Sequence, residues 1–471
     1  MKDVVIVGCG LVGAAAATCI AGAGARVTLI DSGFSTAIGP GRHISQDPRL
    51  HFGSEIRSRL TRGLLHQIEL TANSVPLARG AEFAIGIGAG GAGLVWSGVT
   101  ERLDSPTTLA RLFLQSCVEP GYDEAEGLLG VTDSVEYVDD ALATQLPGVR
   151  ALRCAIWREG PTAYTPGPAD VLAHARGGCL DIRHGRLATS FVHKSGKVAR
   201  LTAVNVRTKE IENYRADAFV IAADAIRSPS LLVASGLEPE QGFPVGHWFT
   251  DHPLATTHVY AETSLGRKVA ECLQKPEGTT ICRGIALGPG PHGAFRIILS
   301  VPSDDVNRPL LAFYWYAVGN PNPANRLLFD RGEIGDFSAL RPRIEIAAPM
   351  AEAGALDALV KDLGEVASEF GSAQRGWKPR LLPLGSAMHA YGTLRAGLSP
   401  DQNAVTDADG RVRGFSNLFV VGSSRLPAPS AVNPAFASIA GALVTAHRII
   451  DSSVLASVPS PKSDVQKGQL G

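Results

Sequence analysis

The sequence lacks several features that would each point to a different kind of protein. No stretch approaches the ~18 consecutive apolar residues of a spanning helix, so no membrane span is expected. Neither charge is in excess: 44 Lys and Arg stand against 45 Asp and Glu, for a net charge of -1, and like charges form no run. Nucleic acid and anionic membrane surfaces both select for basic patches, so neither is an expected partner. The seven cysteines, at 9, 19, 117, 154, 179, 272 and 282, are odd in number and scattered, with no C-x-x-C or zinc-like spacing. That usage fits a reducing compartment. H-E-x-x-H and carboxylate-rich calcium loops are missing, so no metal is expected. A G-x-S-x-G elbow is missing too, which argues against a hydrolase. The apolar stretch from Val4 to Ile20 is not expected to be a secretory leader, because Asp3 sits where basic residues belong and glycines interrupt the run. The chain therefore reads as cytoplasmic. No repeat of fixed period is present, which argues against solenoids and propellers.

Glycine, by contrast, is plentiful, at 52 of 471 residues, and it is clustered. A chain of this length exceeds what one core usually organises, so a large domain interleaved with a second is expected. The first cluster lies in DVVIVGCGLVGAAAATCIAGAGARVTLID, residues 3 to 31. A β-branched run precedes Gly8-x-Gly10-x-x-Gly13, an Ala-rich helical stretch follows, and a second β-branched run ends at Asp31. Gly8 allows the tight turn, Gly10 lets backbone approach a pyrophosphate, and Gly13 lets the helix sit close to the strand. Asp31 is placed to accept from ribose hydroxyls. The motif indicates a dinucleotide and leaves FAD, NAD and NADP open.

A second cluster, GIGAGGAGLVWSG at residues 86 to 98, reads as a loop lying along a cofactor, with Trp96 as a wall. Ala216 to Val220 reads as a strand, followed by a turn and a helix within Ile221 to Leu237. Pro229 is expected in the first turn of that helix and Gly236 at its C-terminal end. Residues 180 to 207 alternate as a β-hairpin with a Ser195-Gly196 turn.

Near the C-terminus, Asn417 to Val421 reads as a strand entering Gly422-Ser423-Ser424, and Pro434 to Ile450 as a long helix. Asn433-Pro434 looks like an N-cap followed by a first-turn proline. The free N–H groups of Ala435 and Phe436 would then favour developing negative charge. Asn433 has two readings, helix cap or ligand contact, and both stay open. His389 lies in a small-residue loop, and imidazole can accept a hydroxyl proton near neutral pH. A structural role for it is the other reading.

Taken in order, Gly8-x-Gly10-x-x-Gly13 with Asp31, Gly90-Gly91, Ala225-Ile226-Arg227-Ser228-Pro229 to Ser235-Gly236, Gly246 to Asp251-His252-Pro253, Asn325-Arg326, His389-x-x-Gly392-Thr393 and Asn433-Pro434 form one set. On these residues the chain resembles the glucose-methanol-choline (GMC) flavoprotein oxidoreductases, from near Met1 to about Ile450. The resemblance implies FAD, an α/β chain with a split Rossmann-like FAD-binding domain, and an antiparallel-sheet substrate-binding domain. The implied division is 1–130, 175–255 and 385–452 for FAD and 256–384 for substrate, with 131–174 possibly contributing and 453–471 a mobile tail. It further implies His389 as the catalytic histidine and Asn433 as the partner that binds the substrate hydroxyl. Cofactor contacts are expected from Gly8, Gly10, Leu11, Val12, Gly13, Asp31, Gly90, Gly91, Val95, Trp96, Ala188, Ala223, Gly422, Ser423, Pro434 and Ala435.

The Gly90-Gly91-x-x-x-x-Trp96 loop is similar to the pyranose oxidase branch, where some members attach FAD covalently through a histidine just before that tryptophan. Val95 stands there, so non-covalent FAD is expected. Asp224 stands where the family usually has glycine or serine, which puts the local turn in doubt. The implied reaction is oxidation of an alcohol, a sugar, glycoside or aminocyclitol, to an aldehyde or ketone, fitting a tailoring step on a natural product. Oxygen, a quinone or another acceptor stays open, and a cyanohydrin-splitting lyase with inert FAD is the alternative. Residues 255 to 384 are expected to line the pocket, with Asp304, Asp305, Glu333 and Asp336 either meeting amino groups or solvated at the surface. His252 is expected to be structural, and His247, His258 and His447 have no motif behind them.

Overall fold

The computed structural model describes residues 2–36, 38–47, 61–71, 81–105, 107–136, 138–160, 162–176, 179–238, 242–274, 281–305, 307–330, 337–398, 403–427 and 430–452. Glu333, Asp336 and the tail 453–471 lie outside these.

The N-terminal β-branched run forms β1 (Asp3–Val7), the Ala-rich stretch α1 (Leu11–Gly22), and the next run β2 (Arg26–Asp31), parallel to β1. Three more parallel strands join them: β3 (Cys179–His184), β4 (Ala218–Ile221) and β5 (Leu418–Val420), in the order β3-β2-β1-β4-β5. Helix α2 (Asp224–Ala234) follows β4, and α3 (Pro434–Asp451) follows β5. Strand β4 is buried at every position, as a central parallel strand covered on both faces must be. Helix α1 has almost no polar face, and such a helix needs a cover. Ala16, Ala17, Ile20 and Ala21 meet Ala442, Ala446 and Ile449 of α3, small side chains that let the backbones approach. Strand order reverses between β1 and β4, so the turns that leave these strands open side by side at the carboxyl end of the sheet. Ligands of open α/β sheets bind in that crevice.

A seven-stranded antiparallel sheet stands beside it. Its order is Gly371–Ala373, Leu254–Ala261, Leu310–Tyr316, Phe295–Val301, Gly284–Ala286 and Arg150–Ala151, with Arg380–Leu381 also paired to Leu254–Ala261. One face is covered by the helix Ala355–Ser368, where Leu359, Leu363 and Ala367 meet Ala255, Val259 and Phe313. The chain is thus α/β with a large antiparallel component, as the sequence implied.

Two local expectations need correction. Residues 180 to 207 do not make one hairpin. Cys179–His184 is the parallel edge strand β3, and the hairpin is Arg186–Lys194 with Lys197–Asn205. Its turn is left-handed at both Ser195 (φ 49) and Gly196 (φ 72), the conformation a two-residue hairpin turn requires. Pro229 lies inside α2 rather than in its first turn. The helix starts at Asp224, whose Oδ1 accepts from the N–H groups of Ile226 and Arg227 at 2.8 Å each. Because Pro229 has no N–H, the Ala225 carbonyl loses its helical donor. The Thr393 hydroxyl takes that place, donating to Ala225 O at 2.6 Å. Gly236 (φ 84) ends α2 as expected, with Gly236 N–H bonded to Val233 O and Leu237 N–H to Leu232 O.

Thr393→Val keeps the side-chain shape but leaves a buried carbonyl without a donor. Denaturant unfolding should show a loss of about 1–3 kcal/mol. An unchanged unfolding midpoint would mean that the carbonyl is satisfied in another way.

Candidate active site

A cavity of about 410 Å³ opens in the crevice between the β1 and β4 turns. At one end, Gly8 (φ 105) makes a turn in which any Cβ would lie 2.4 Å from Ala222 O. Asp31 fixes this turn: its Oδ2 accepts from Cys9 N–H and its Oδ1 from Gly33 N–H, each at 2.7 Å. The carboxylate also lines the cavity, so it shapes the glycine turn as well as facing a ligand. Gly10 behaves differently. Its backbone is ordinary, and a Cβ would approach nothing closer than Gly90 O at 3.6 Å. The protein itself has room for a side chain there, so the bare backbone leaves space for something else.

Leu11, Val12, Gly91, Val95, Trp96, Ala188, Ala223, Gly422, Ser423, Pro434 and Ala435 line the same cavity. Gly13 and Gly90 do not. A Cβ on Gly13 would sit 1.9 Å from Gly8 O, so this glycine serves helix-to-strand packing. Gly90 (φ 115) is a left-handed turn residue whose Cβ would meet the Leu94 side chain at 2.8 Å. Asp224, a doubtful position in the sequence, takes the left-handed conformation (φ 55) that explains why glycine suits it. Its self-capping bonds and its pair with Arg227 hold the turn, and both side chains face the cavity.

At the other end stand His389 and Asn433. Asn433 occupies the N-cap position of α3, but its side chain makes no capping bond. Its Oδ1 is buried without a hydrogen-bond partner, a state that costs ~1–3 kcal/mol. Such an atom suits a donor arriving from a ligand. His389 is half-buried, with its ring stacked on Tyr316 at 5.5 Å between centroids. The residue before it, Met388, has φ 57, a strained left-handed conformation for a long side chain. Burial pushes the His389 imidazole from its ordinary value down to about 3, which leaves it a neutral base near pH 7.

Behind His389 lies a group that sequence reasoning treated as background. His252 is buried, and its Nδ1 is 3.2 Å from His389 Nδ1. Asp251 Oδ1 accepts from the N–H of His252 at 2.7 Å and of His389 at 3.0 Å. Burial pushes the Asp251 carboxyl up to about 7 against these donors and the Gly385 N–H. No local pattern announces the contact, because the two histidines come from distant segments.

From residues 255 to 384, only Tyr316, Phe337, Ser338 and Ala339 reach the cavity wall among the described residues. Asp304 bonds the Tyr260 hydroxyl at 2.8 Å instead, and Asp305 is likewise outside the wall, so neither awaits an amino group there. Outside the cavity wall, Cys19, Glu124 and His447 come within 4.8 Å of one another. His447 Nε2 pairs with Glu124 at 2.7 Å. The Cys19 sulfur sits 3.7 and 3.9 Å from the two ring nitrogens, over the ring face rather than along a lone pair. The cluster is an exposed His447–Glu124 contact beside a thiol.

A parallel-sheet crevice with a glycine cradle, joined to an antiparallel sheet and a histidine–asparagine end, defines a dinucleotide-dependent oxidoreductase. Residues 341–442, which include His389 and Asn433, match the family model described as GMC oxidoreductase. A C-glycoside 3-oxidase of Microbacterium trichothecenolyticum is 24% identical over 77% of this chain and 75% of its own length. A pyranose 2-oxidase of Tricholoma matsutake is 23% identical over 52% of this chain and 49% of its own. Among solved structures, pyridoxine 4-oxidase from Mesorbium loti superposes with a TM-score of 0.67 at 18% identity, over 96% of this chain and all of the other. The C-terminal part of the chain thus matches the GMC oxidoreductases, and that match together with the oxidase relatives supports an FAD-dependent enzyme that oxidises an alcohol. The residues present fit FAD: the space beside Gly10, the cavity volume and the orphaned Asn433 oxygen all await a ligand.

Gly10→Ala should leave the stability of the FAD-free protein within about 0.5 kcal/mol, because its Cβ would make only an ordinary contact with Gly90 O at 3.6 Å, yet weaken FAD retention on gel filtration. Full FAD retention in this variant would show that Gly10 does not face the cofactor.

Proposed function

We propose that the enzyme oxidises a secondary hydroxyl of a sugar or glycoside, with His389 as the base and Asn433 as the anchor for the hydroxyl. The observation that carries this reading is that His389 and Asn433 line one cavity, where Asn433 Oδ1 has no hydrogen-bond partner from the protein. FAD, when bound, supplies the acceptor for the hydride. His389 takes the hydroxyl proton, and depression of its basicity by burial keeps the ring neutral until substrate arrives. Ala435, at the start of α3, lines the cavity, and the partial positive charge of that helix N-terminus would favour developing negative charge there. Tyr316 offers an aromatic wall to the C–H face of a ring substrate.

The printed activities of the relatives, on C-glycosides and pyranoses, support the substrate class, and their oxidase names favour oxygen as the electron acceptor. In this reading segments 1–130, 175–255 and 385–452 hold FAD, and 256–384 closes over it. FAD is held without a covalent bond: Val95 offers no nucleophile, and among the described residues the cavity wall holds no cysteine and no histidine except His389. No observation favours the lyase alternative.

A panel of glycosides and free sugars mixed with the enzyme without oxygen should bleach the flavin. His389→Ala should keep FAD and slow that bleaching on the order of 10²-fold or more. An unchanged rate would remove His389 from the mechanism. Protonation abolishes the base, so a depressed imidazole extends the active plateau toward acid. The reduction rate should hold well below pH ~6.5, the ordinary imidazole value. An acid limb centred at that value would contradict the buried, neutral base. After acid precipitation the yellow colour should stay in solution; colour in the pellet would contradict non-covalent binding.

A further inference from the structure

The contact between His389 and His252 joins two atoms of the same kind, Nδ1 to Nδ1 at 3.2 Å. Two neutral imidazoles can form this bond only if one Nδ1 carries the proton and the other presents a lone pair. If His252 donates, the His389 proton lies on Nε2, and the ring nitrogen left for the cavity is not a base. If His389 donates, its Nε2 lone pair is available to a hydroxyl. Only the second arrangement survives catalysis. Once His389 Nε2 gains a proton, its Nδ1 must be N–H, and an N–H on His252 would then face it.

We propose that His252 is a positioning residue whose Nδ1 accepts from His389 Nδ1–H, fixing the tautomer that places the basic Nε2 lone pair toward the cavity. The proposal rests on the reading of His389 as base. The surroundings of His252 hold it to that task. In this tautomer its own proton lies on Nε2, which is buried without a protein partner, so the ring has no second hydrogen bond to turn toward and bears the cost of one unpaired N–H. Tyr391 meets it edge-on at 5.5 Å between centroids. Gly319 closes another side so tightly that a Cβ there would lie 3.0 Å from His252 Cδ2. Asp251 Oδ1 ties the backbone N–H groups of both histidines. The titratable groups around the pair are therefore Asp251, Tyr391 and, stacked on His389, Tyr316. Burial and the neighbouring His389 keep His252 itself well below the ordinary imidazole value, so it stays an acceptor and does not take up the proton. When His389 takes the substrate proton, the same bond becomes charge-assisted and strengthens.

The test compares His252→Ala, which removes the acceptor, with His252→Asn, whose Oδ1 restores an acceptor near the place of Nδ1. Both are read by anaerobic flavin reduction with a glycoside that bleaches the unaltered enzyme. His252→Ala should lose on the order of 10-fold or more in limiting rate, with little change in the substrate concentration that gives half the rate. His252→Asn should recover most of that loss. Equal losses in both variants with FAD retained, or no loss in either, would overturn the proposal. If both fail to fold, the tautomer can be read in unaltered protein by nitrogen NMR with ring-labelled histidine, with and without FAD. A His389 proton on Nδ1 is expected, and one on Nε2 would overturn the assignment. His389→Ala separates the two claims. If it leaves the rate intact, the base reading fails. If it collapses the rate while His252→Ala does not, only the positioning role fails.

Discussion

One buried carboxylate oxygen holds the chemical end of this molecule together. Asp251 Oδ1 accepts from the backbone of its neighbour His252 and from the backbone of His389, 138 residues away. Beside it, Thr250 and Tyr391 exchange backbone hydrogen bonds at 3.1 and 3.0 Å, so the two segments meet as a short antiparallel bridge. Burying a carboxyl here is costly, as its upward displacement shows. The return is positional: the loop that carries the base is fastened to the loop that carries its partner. Two residues beyond Tyr391, Thr393 fastens the same loop to α2 by supplying the donor that Pro229 withholds.

The cofactor end was largely legible in the sequence, because its determinants are local. Gly8, Gly13 and the alternation of β-branched runs specify a strand, a turn and a helix within one short stretch, and Asp31 closes it. The hairpin around Ser195-Gly196 was legible for the same reason. Its predecessor was not: Cys179–His184 is mostly exposed along its length, so its pattern resembles a hairpin arm, and only pairing to β2 makes it parallel. Pro229 read as a helix start because the compensating hydroxyl comes from Thr393, 168 positions beyond the Ala225 carbonyl it serves.

The catalytic end was legible only in part. His389 and Asn433 stood out by type and context, but residues alone could not decide whether Asn433 caps α3. The structure leaves its side chain without a capping bond and its oxygen unpaired. His252 looked structural, since nothing local distinguishes a buried histidine that supports another histidine from one that only fills space. The acidic residues that suit an amino substrate by type illustrate the reverse case: Asp304 is spent on Tyr260. The wall that faces the substrate is carried by an aromatic side chain, Tyr316, from a strand so apolar on both faces that no alternation marked it.

Removal of a hydride from a carbinol carbon within this cavity is the central step of the proposed reaction. A glycoside bearing deuterium on the oxidised carbon, mixed with the enzyme in a single turnover without oxygen, tests that directly. Flavin absorbance should be lost more slowly with deuterium than with hydrogen at that carbon. Persistent flavin absorbance with every alcohol offered, or equal rates for the two isotopes, would contradict it.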